Sequence, residues 1–159
     1  MSELKILQIG AEASIIKNGE IIIKRREKKS YRILEIDEKI RKLRTRSEGK
    51  LLERASKLID TPKIKKIDEK SKEILMDFVD GKRLSSSLDD FSLNIQKEIC
   101  EKIGKNVAKL HGSNIIHGDL TTSNMIYVED FNDKFKVANK EYVTKDDKQR
   151  NSINAKKAV

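Results

Sequence analysis

The hydrophobic positions near the N-terminus fall into short blocks that are typical of β-strands. Residues 4–9 and 20–25 each carry such a block, and Ile21–Ile23 is a β-branched run within the second. Asn18–Gly19 precedes this run and is a turn signal. The two blocks therefore predict a pair of strands that forms a hairpin region.

The spacing of apolar residues changes to that of a helix from Ile36 onward. Thr61–Pro62 marks its end, because the residue before a proline is biased away from the helical conformation. The apolar positions that fit one helical face are Ile36, Ile40, Leu43, Leu51, Leu52, Ala55, Leu58 and Ile59. This pattern predicts one long helix.

Two more strands and a second helix follow. Residues 64–67 and 73–79 have strand-like patterns, and Asp80–Gly81 then breaks the pattern. Residues 92–111 return to helical spacing, with apolar residues at Ile95, Ile99, Ile103, Val107 and Leu110. This order predicts an α+β lobe followed by a helical lobe. Residues 138–159 are polar without a clear period, which predicts loops or a loose tail.

Length and composition limit the class of protein. A chain of 159 residues suits one domain or two small lobes, and 36% hydrophobic residues argue against wholesale disorder. No stretch approaches the roughly 20 apolar residues of a membrane span, and the N-terminus shows no secretory signal. Cys100 is the single cysteine, so we expect no internal disulfide and a reducing, cytoplasmic location, or also a nuclear one in a eukaryote. Beside Ile99, Cys100 is interpreted as a packing residue.

The formal net charge of +9 leaves two interpretations open. One is a solvated, lysine-rich surface. The other is an RNA partner, since clustered positive charge binds phosphates without reading the sequence. Three Tyr, four Phe and no Trp offer little for stacking on exposed bases, so base-specific single-strand binding is not indicated.

A polar cluster between apolar pairs carries the clearest chemical signal. Residues 115–126 contain His117, Asp119 and Asn124, with the last two five positions apart. Phosphoryl transfer uses a carboxylate to orient or deprotonate the attacking hydroxyl and an amide oxygen to hold a metal ion. A bare Asp-x4-Asn would be an ordinary loop in most proteins. The complete string His-Gly-Asp-Leu-Thr-Thr-Ser-Asn after a helix is far more specific.

This segment resembles the catalytic loop of the protein-kinase superfamily. His-Gly-Asp in place of His-Arg-Asp points to an atypical branch. Within it, the chain is similar to the small kinase of the KEOPS complex, a tRNA-modifying assembly of archaea and eukaryotes. The resemblance implies a small two-lobed, protein-kinase-like α+β fold. Residues 1–79 would form an N-terminal antiparallel sheet with helix C, and residues 80–159 a reduced helical C-lobe.

Other segments support the resemblance, which covers about residues 6–137 in the expected order. They match the short nucleotide-covering loop (Gly10–Ala13), the strand-three lysine motif (Ile23–Arg26 with Lys29–Arg32), the helix-C signature (Arg44–Glu48) and the hinge between lobes (Met76–Gly81).

The resemblance also implies roles for single residues. Lys24 would pair with the α- and β-phosphates and with Glu48, while Asp119 would be the catalytic carboxylate and Asn124 a magnesium ligand. His117 would pack and hydrogen-bond within the loop. The expected cofactors are ATP and Mg²⁺. The expected nucleotide-binding residues are Gly10, Ala11, Glu12, Ala13, Lys24, Met76, Phe78 and Asn124.

The chain departs from the kinase pattern after the loop, because it lacks an Asp-Phe-Gly motif for a second metal-binding acid. Asp130–Asn132 comes too soon, since Met125–Val128 and Phe135–Val137 predict a hairpin joined by a turn at 129–134. One hypothesis is that the sequence omits residues between Val137 and Ala138, with a second gap after Lys148. The rival is a complete but degenerate kinase.

The favoured function is an ATP-dependent serine/threonine protein kinase or ATPase. It would support threonylcarbamoyladenosine modification of tRNA within a KEOPS-type complex, beside tRNA-modifying partner subunits. Contact with tRNA through the basic surface is an open addition, and no membrane association is expected. Three alternatives remain: a small-molecule kinase, a non-catalytic pseudokinase scaffold and a simple basic nucleic-acid-binding protein.

Overall fold

The structure is a computed structural model of the chain. It describes residues 4–116, 118 and 120–129, and the backbone alone of 130, 134–139 and 143–144. The chain divides into two compact units. The first contains the chain up to Glu53 together with Pro62–Phe78, and the second contains Arg54–Thr61 and the chain from Val79 onward. The domain bounds of 1–79 and 80–159 stay a prediction.

The first unit is built on a sheet of five antiparallel strands. These are β1 (Leu4–Ile9), β2 (Ser14–Asn18), β3 (Ile21–Arg25), β4 (Ile64–Asp68) and β5 (Glu73–Asp77). Their order across the sheet is β1-β2-β3-β5-β4. Ile22, Ile74 and Met76 form a buried apolar cluster on two neighbouring central strands. This core holds β3, which carries the predicted lysine, in the middle of the sheet.

The hairpin prediction was wrong in one respect, because β2 lies between the two predicted strands. β1 pairs with β2, and β2 pairs with β3, so residues 4–9 and 20–25 are not neighbours. The tight turn joins β2 to β3, with Gly19 at φ 58° between the paired residues Asn18 and Ile21. β2 was missed because only Ile15 and Ile16 are apolar in it, and its pairing depends on backbone hydrogen bonds with both neighbours.

The long helix α1 runs over Leu34–Ala55, so Leu58 and Ile59 lie beyond its end. Its buried side is polar up to Glu48 and apolar after it. Residues buried along the stripe are Asp37, Thr45, Glu48, Leu52 and Ala55. Ile36 and Leu43, predicted on the helical face, are exposed instead. The prediction failed there because charged partners rather than apolar contacts fix this half of the helix.

The second unit contains one long helix, one short helix and five short strands within the described residues. They are β6 (Lys82–Arg83), α2 (Leu84–Ser87), α3 (Leu93–Gly112), β7 (Ile115–Ile116), β8 (Met125–Asp130), β9 (Lys134–Asn139) and β10 (Val143–Thr144). The core consists of Leu84, Ile99, Met125 and Tyr127. α3 agrees with the helix predicted at 92–111. Cys100 on this helix is exposed, so its interpretation as a packing residue was wrong.

The strands of the second unit pair in two small sheets, β6-β8-β9 and β10-β7. β8 and β9 form the predicted hairpin, with Tyr127 opposite Val137. β9 continues through Ala138 to Asn139, and β10 also lies in the segment predicted to be loops, so that prediction was wrong at these residues. The other residues of 138–159 lie outside the described part of the chain. The hypothesis of omitted residues after Val137 stays a prediction.

Every helix in the described part of the chain is too short or too polar to cross a bilayer.

Candidate functional site

Lys24 is placed by the alternation of β3. Side chains at alternate positions of a strand point to the same face, so Lys24 shares its face with the buried Ile22. Its own exposed fraction is 6%. A buried ammonium group is costly unless it is paired, and this one has a partner on α1.

Glu48 is that partner, and it accepts from two cations. Lys24 Nζ donates to Glu48 Oε1 at 2.7 Å, and Arg26 Nη2 donates to Glu48 Oε2 at 2.6 Å. Glu48 is itself 6% exposed. Hydrogen bonds between charged groups are roughly twice as strong as neutral ones. The structure therefore brings the predicted lysine and helix-C acid together and adds an arginine to the pair.

A second buried carboxylate, Asp37, anchors the start of α1. It accepts from Arg41 Nε at 2.7 Å, and Arg32 Nη1 lies 3.6 Å away. Burial alone would raise the pKa of Asp37. This pKa nevertheless lies below its usual range, because several contacts favour the ionised carboxylate more than burial disfavours it. They are the hydrogen bond and charge of Arg41, the backbone N–H of Lys29 and the charge of Arg32. Asp37 therefore stays ionised and ties the loop after β3 to the helix.

The predicted nucleotide-covering loop is a closed turn. The Gly10 N–H donates to the Ala13 carbonyl at 2.9 Å, and a Cβ added to Gly10 would lie 3.2 Å from that oxygen. Ala11 accepts a hydrogen bond from Lys29 Nζ through its carbonyl. Glu12 pairs with Arg44 Nη1 of α1 at 2.6 Å. These contacts link the turn to the same helix that carries Glu48.

Met76 and Phe78 lie at the end of β5 and just after it. Met76 is buried in the apolar cluster with Ile22 and Ile74. The Phe78 N–H donates to the Glu20 carbonyl at 2.8 Å, and Lys17 Nζ lies 3.3 Å from the centre of the Phe78 ring. Their contacts with a nucleotide stay a prediction.

The loop predicted to be catalytic lies in the second unit, between β7 and β8. Ile115 and Met125 flank it and are buried, which anchors both of its ends. Asn124 closes a 3-10 turn, Thr122–Asn124, in which its N–H donates to the Thr121 carbonyl at 3.0 Å. Asp119 and His117 lie outside the described residues. The relation of Asp119 to Asn124 therefore stays a prediction.

The chain's own geometry positions this loop through two local features. Asn114 has φ 57° directly after α3, a conformation that suits asparagine at the end of a helix and turns the chain into β7. Gly81 lies against the Tyr127 carbonyl so closely that a Cβ there would overlap it. That close approach allows β6 to pair with β8.

The described residues fit a phosphate-bearing ligand better than they define a metal centre. Lys24 supplies a charged N–H donor of the kind that recognises phosphate oxygens, and Arg26 adds positive charge beside it. Asn124 offers an amide oxygen of the kind that Mg²⁺ accepts, and Mg²⁺ usually takes few protein ligands beside phosphates and waters. Among the residues that the structure describes, no three or more His, Cys, Asp or Glu side chains cluster as a metal site.

Sequence reasoning missed Arg26 and Asp37 as parts of this site. Arg26 lies two positions after Lys24, so strand alternation could have placed it on the face of Lys24. Asp37, Arg41 and Thr45 recur at helical spacing with the later buried residues of α1. A search for polar as well as apolar stripes would have detected that second signal.

Comparison with known families decides where the chain belongs. The sequence profile of the RIO domain matches residues 16–135, which is most of the chain. The chain belongs to the RIO-domain family. The match includes Lys24, Glu48 and Asn124, together with the loop at 117–124.

Two relatives in archaea are similar to this RIO-domain chain. The KEOPS complex subunit Bud32 of Pyrococcus abyssi is 38% identical over 137 residues, covering 79% of this chain and 62% of that protein. A probable bifunctional tRNA threonylcarbamoyladenosine biosynthesis protein of Methanobrevibacter smithii is 44% identical over 122 residues, 74% of this chain and 21% of that protein. The chain therefore spans less than two thirds of either relative. The resemblance to an atypical kinase of the KEOPS complex is confirmed.

A solved structure shows the same fold. The Rio2 kinase–ADP/Mg²⁺–phosphoaspartate complex from Chaetomium thermophilum superposes with a TM-score of 0.65 at 16% identity, covering 92% of this chain and 49% of that one. At this identity the likeness concerns the fold alone. The predicted α+β, kinase-like fold of this RIO-domain chain is confirmed.

Proposed function

We propose that this chain is an ATP-dependent serine/threonine protein kinase or ATPase that supports threonylcarbamoyladenosine modification of tRNA within a KEOPS-type complex. The observation that carries the proposal is the buried pair of Lys24 and Glu48, joined at 2.7 Å in a RIO-domain chain. A lysine–glutamate pair of this kind holds the phosphates of ATP in kinases. The names of the two archaeal relatives support the link to tRNA modification.

The roles follow from the chemistry of each side chain. Lys24 binds the α- and β-phosphates, and Gly10–Ala13 covers the nucleotide. Asp119 orients or deprotonates the attacking hydroxyl or water, and Asn124 holds Mg²⁺. The metal ion, when bound, neutralises charge that develops on the phosphoryl group. Catalysis then depends mainly on positioning and electrostatics.

The partners proposed are the tRNA-modifying subunits of a KEOPS-type complex, in the cytoplasm. The net charge of +9 supports a contact with tRNA, because positive charge binds phosphates without base readout. ATP turnover in this chain would support the partner that modifies tRNA.

Turnover by variants of the full chain tests the enzyme assignment. Lys24→Ala and Asp119→Ala should each lower ATP turnover by about a hundredfold or more, since each removes a group needed in phosphoryl transfer. Lys65→Ala is the matched control, because Lys65 is half exposed and pairs with Asp77 on the surface of the sheet. Turnover at the wild-type rate in either site variant would overturn the assignment.

A pseudokinase scaffold is the second candidate, favoured by the absence of an Asp-Phe-Gly motif from the sequence. A scaffold of this kind would bind its partner subunits, and the wild-type chain would show no detectable ATP turnover. Measurable turnover that Asp119→Ala removes would exclude this candidate.

A further inference from the structure

Arg26 occupies a fixed position directly after β3. Its N–H donates to the Lys72 carbonyl at 3.1 Å, and its own carbonyl accepts from Arg41 Nη1 at 3.5 Å. Both contacts involve the backbone of Arg26, so a change of its side chain leaves them in place. The side chain is 13% exposed, which is low for an arginine. Its burial therefore needs an explanation in terms of its contacts.

The contact that explains it is with Glu48. Glu48 Oε1 accepts from Lys24 at 2.7 Å, and Glu48 Oε2 accepts from Arg26 at 2.6 Å. A carboxylate bound through one oxygen can rotate about its terminal bond, whereas one bound through both oxygens by different partners is held. Lys24 therefore meets an acceptor of fixed orientation.

Arg26 also changes the electrostatics of the pair. Within this trio one carboxylate serves two cations, so its negative charge is shared between them. The two cations and the one carboxylate of this trio sum to a positive charge, which favours an anionic group nearby. In addition, Arg26 Nε is buried and has no hydrogen-bond partner among the described residues. The side-chain hydrogen bond that the structure describes for Arg26 is therefore the one from Nη2 to Glu48.

We propose that Arg26 is a positioning residue for nucleotide binding. It holds Glu48 in the orientation in which Glu48 presents the Lys24 ammonium to the phosphates of ATP. The inference rests on the proposed function in one respect: it takes ATP as the ligand of Lys24. It adds a residue that acts through Glu48 rather than by touching the nucleotide.

Arg25 provides a matched control on the adjacent position. Its side chain is 48% exposed and donates to Glu73 Oε1 at 2.6 Å on the other face of the strand end. Arg25→Gln and Arg26→Gln make the same change, because each replaces a charged arginine by a shorter, neutral glutamine. Only the second change touches Glu48.

Calorimetric titration of the full chain with ATP and Mg²⁺ tests the proposal. Arg26→Gln should weaken ATP binding about tenfold, within the range seen for members of one charge network. Arg25→Gln should change it less than about twofold. Because Arg26 acts through Glu48, Arg26→Gln added to Glu48→Gln should weaken binding by less than about twofold beyond Glu48→Gln alone.

The outcomes separate this inference from the proposed function. Wild-type affinity in Arg26→Gln, or an undiminished tenfold effect in the Glu48→Gln background, would overturn the role of Arg26 while ATP binding by the wild type still stands. No binding of ATP by the wild-type chain would overturn both. Should Arg26→Gln fail to fold in thermal melting, Arg26→Lys and Arg25→Lys become the pair. Weaker binding by Arg26→Lys alone supports the proposal, and equal binding overturns it.

Discussion

Asp37 is a carboxylate with no exposed surface at the start of α1, where apolar residues usually face the core. It is retained there by Arg41 and Arg32, which lie 2.7 Å and 3.6 Å from its oxygens. Breaking a buried ion network by removing one member leaves uncompensated charge behind. Asp37 therefore connects two parts of the chain: the loop that follows Arg26, and the helix on which Glu48 lies.

The lowered pKa of Asp37 predicts how its contribution depends on pH. A carboxylate whose pKa is lower in the folded state stabilises the fold above its unfolded pKa, about 3.8, and loses this effect as pH falls through the folded pKa. Wild type should therefore be more stable than Asp37→Asn at neutral pH. The difference between their free energies of unfolding should decrease below about pH 4. Urea denaturation across this range measures it.

Glu35→Gln is the control for this pH dependence. Glu35 lies in the same first turn of α1 and is exposed, so its effect on stability should be small at every pH. If the free energies of unfolding of wild type and Asp37→Asn differed by a constant amount down to about pH 2, the assigned role of Asp37 would be contradicted.

At the scale of single residues, the sequence predicted the partners but not the whole network. Lys24 and Glu48 were expected to pair from the resemblance, and the structure has them in contact. From the sequence, Arg26 is placed only in the segment that matches the strand-three lysine motif, without a role of its own. Strand alternation places Arg26 on the face of Lys24, but its contact with Glu48 depends on how α1 packs against the sheet, which side-chain patterns do not determine.

At the scale of elements, two glycines in helices show how packing competes with helix propensity. A Cβ added to Gly49 of α1 would meet the side chain of Ile67 on β4, with Cγ1 at 2.8 Å. A Cβ added to Gly104 of α3 would meet no atom within 4 Å. Alanine is favoured over glycine in a helix by about 1 kcal/mol, while overpacking costs about 1–3 kcal/mol.

These magnitudes predict effects of opposite sign. Gly49→Ala should lower the free energy of unfolding by up to about 2 kcal/mol, because the clash with Ile67 exceeds the gain in propensity. Gly104→Ala should raise it by about 0.5–1 kcal/mol. Urea denaturation of the full chain gives both values. A more stable Gly49→Ala would show that α1 is not packed closely on β4.

Most elements could be predicted from apolar periodicity, since β3, β4, β5, α1 and α3 all contain regular apolar patterns. The failures have two physical causes, neither of which is apolar contact. β2 and β10 are short strands fixed by backbone pairing, and the first half of α1 is fixed by ion pairs. The spacing of hydrophobic residues predicts neither backbone pairing nor ion pairs.

At the scale of the whole molecule, the family and the site support each other. The RIO-domain match spans residues 16–135, and almost all of the predicted kinase motifs lie within it. The chain covers 62% of the Pyrococcus abyssi relative and 21% of the Methanobrevibacter smithii one. The activity and partners proposed here therefore depend on the site chemistry of this chain and require measurement on it.

The most direct test of the account is the affinity of the full chain for ATP, measured by calorimetry with Lys24→Ala beside the wild type. The account predicts binding by the wild type and a loss of about tenfold or more in Lys24→Ala, because the ammonium that contacts the phosphates is removed. Lys65→Ala should bind as the wild type does. Equal ATP affinity in Lys24→Ala and the wild type would contradict the claim that the buried cluster around Glu48 anchors the nucleotide.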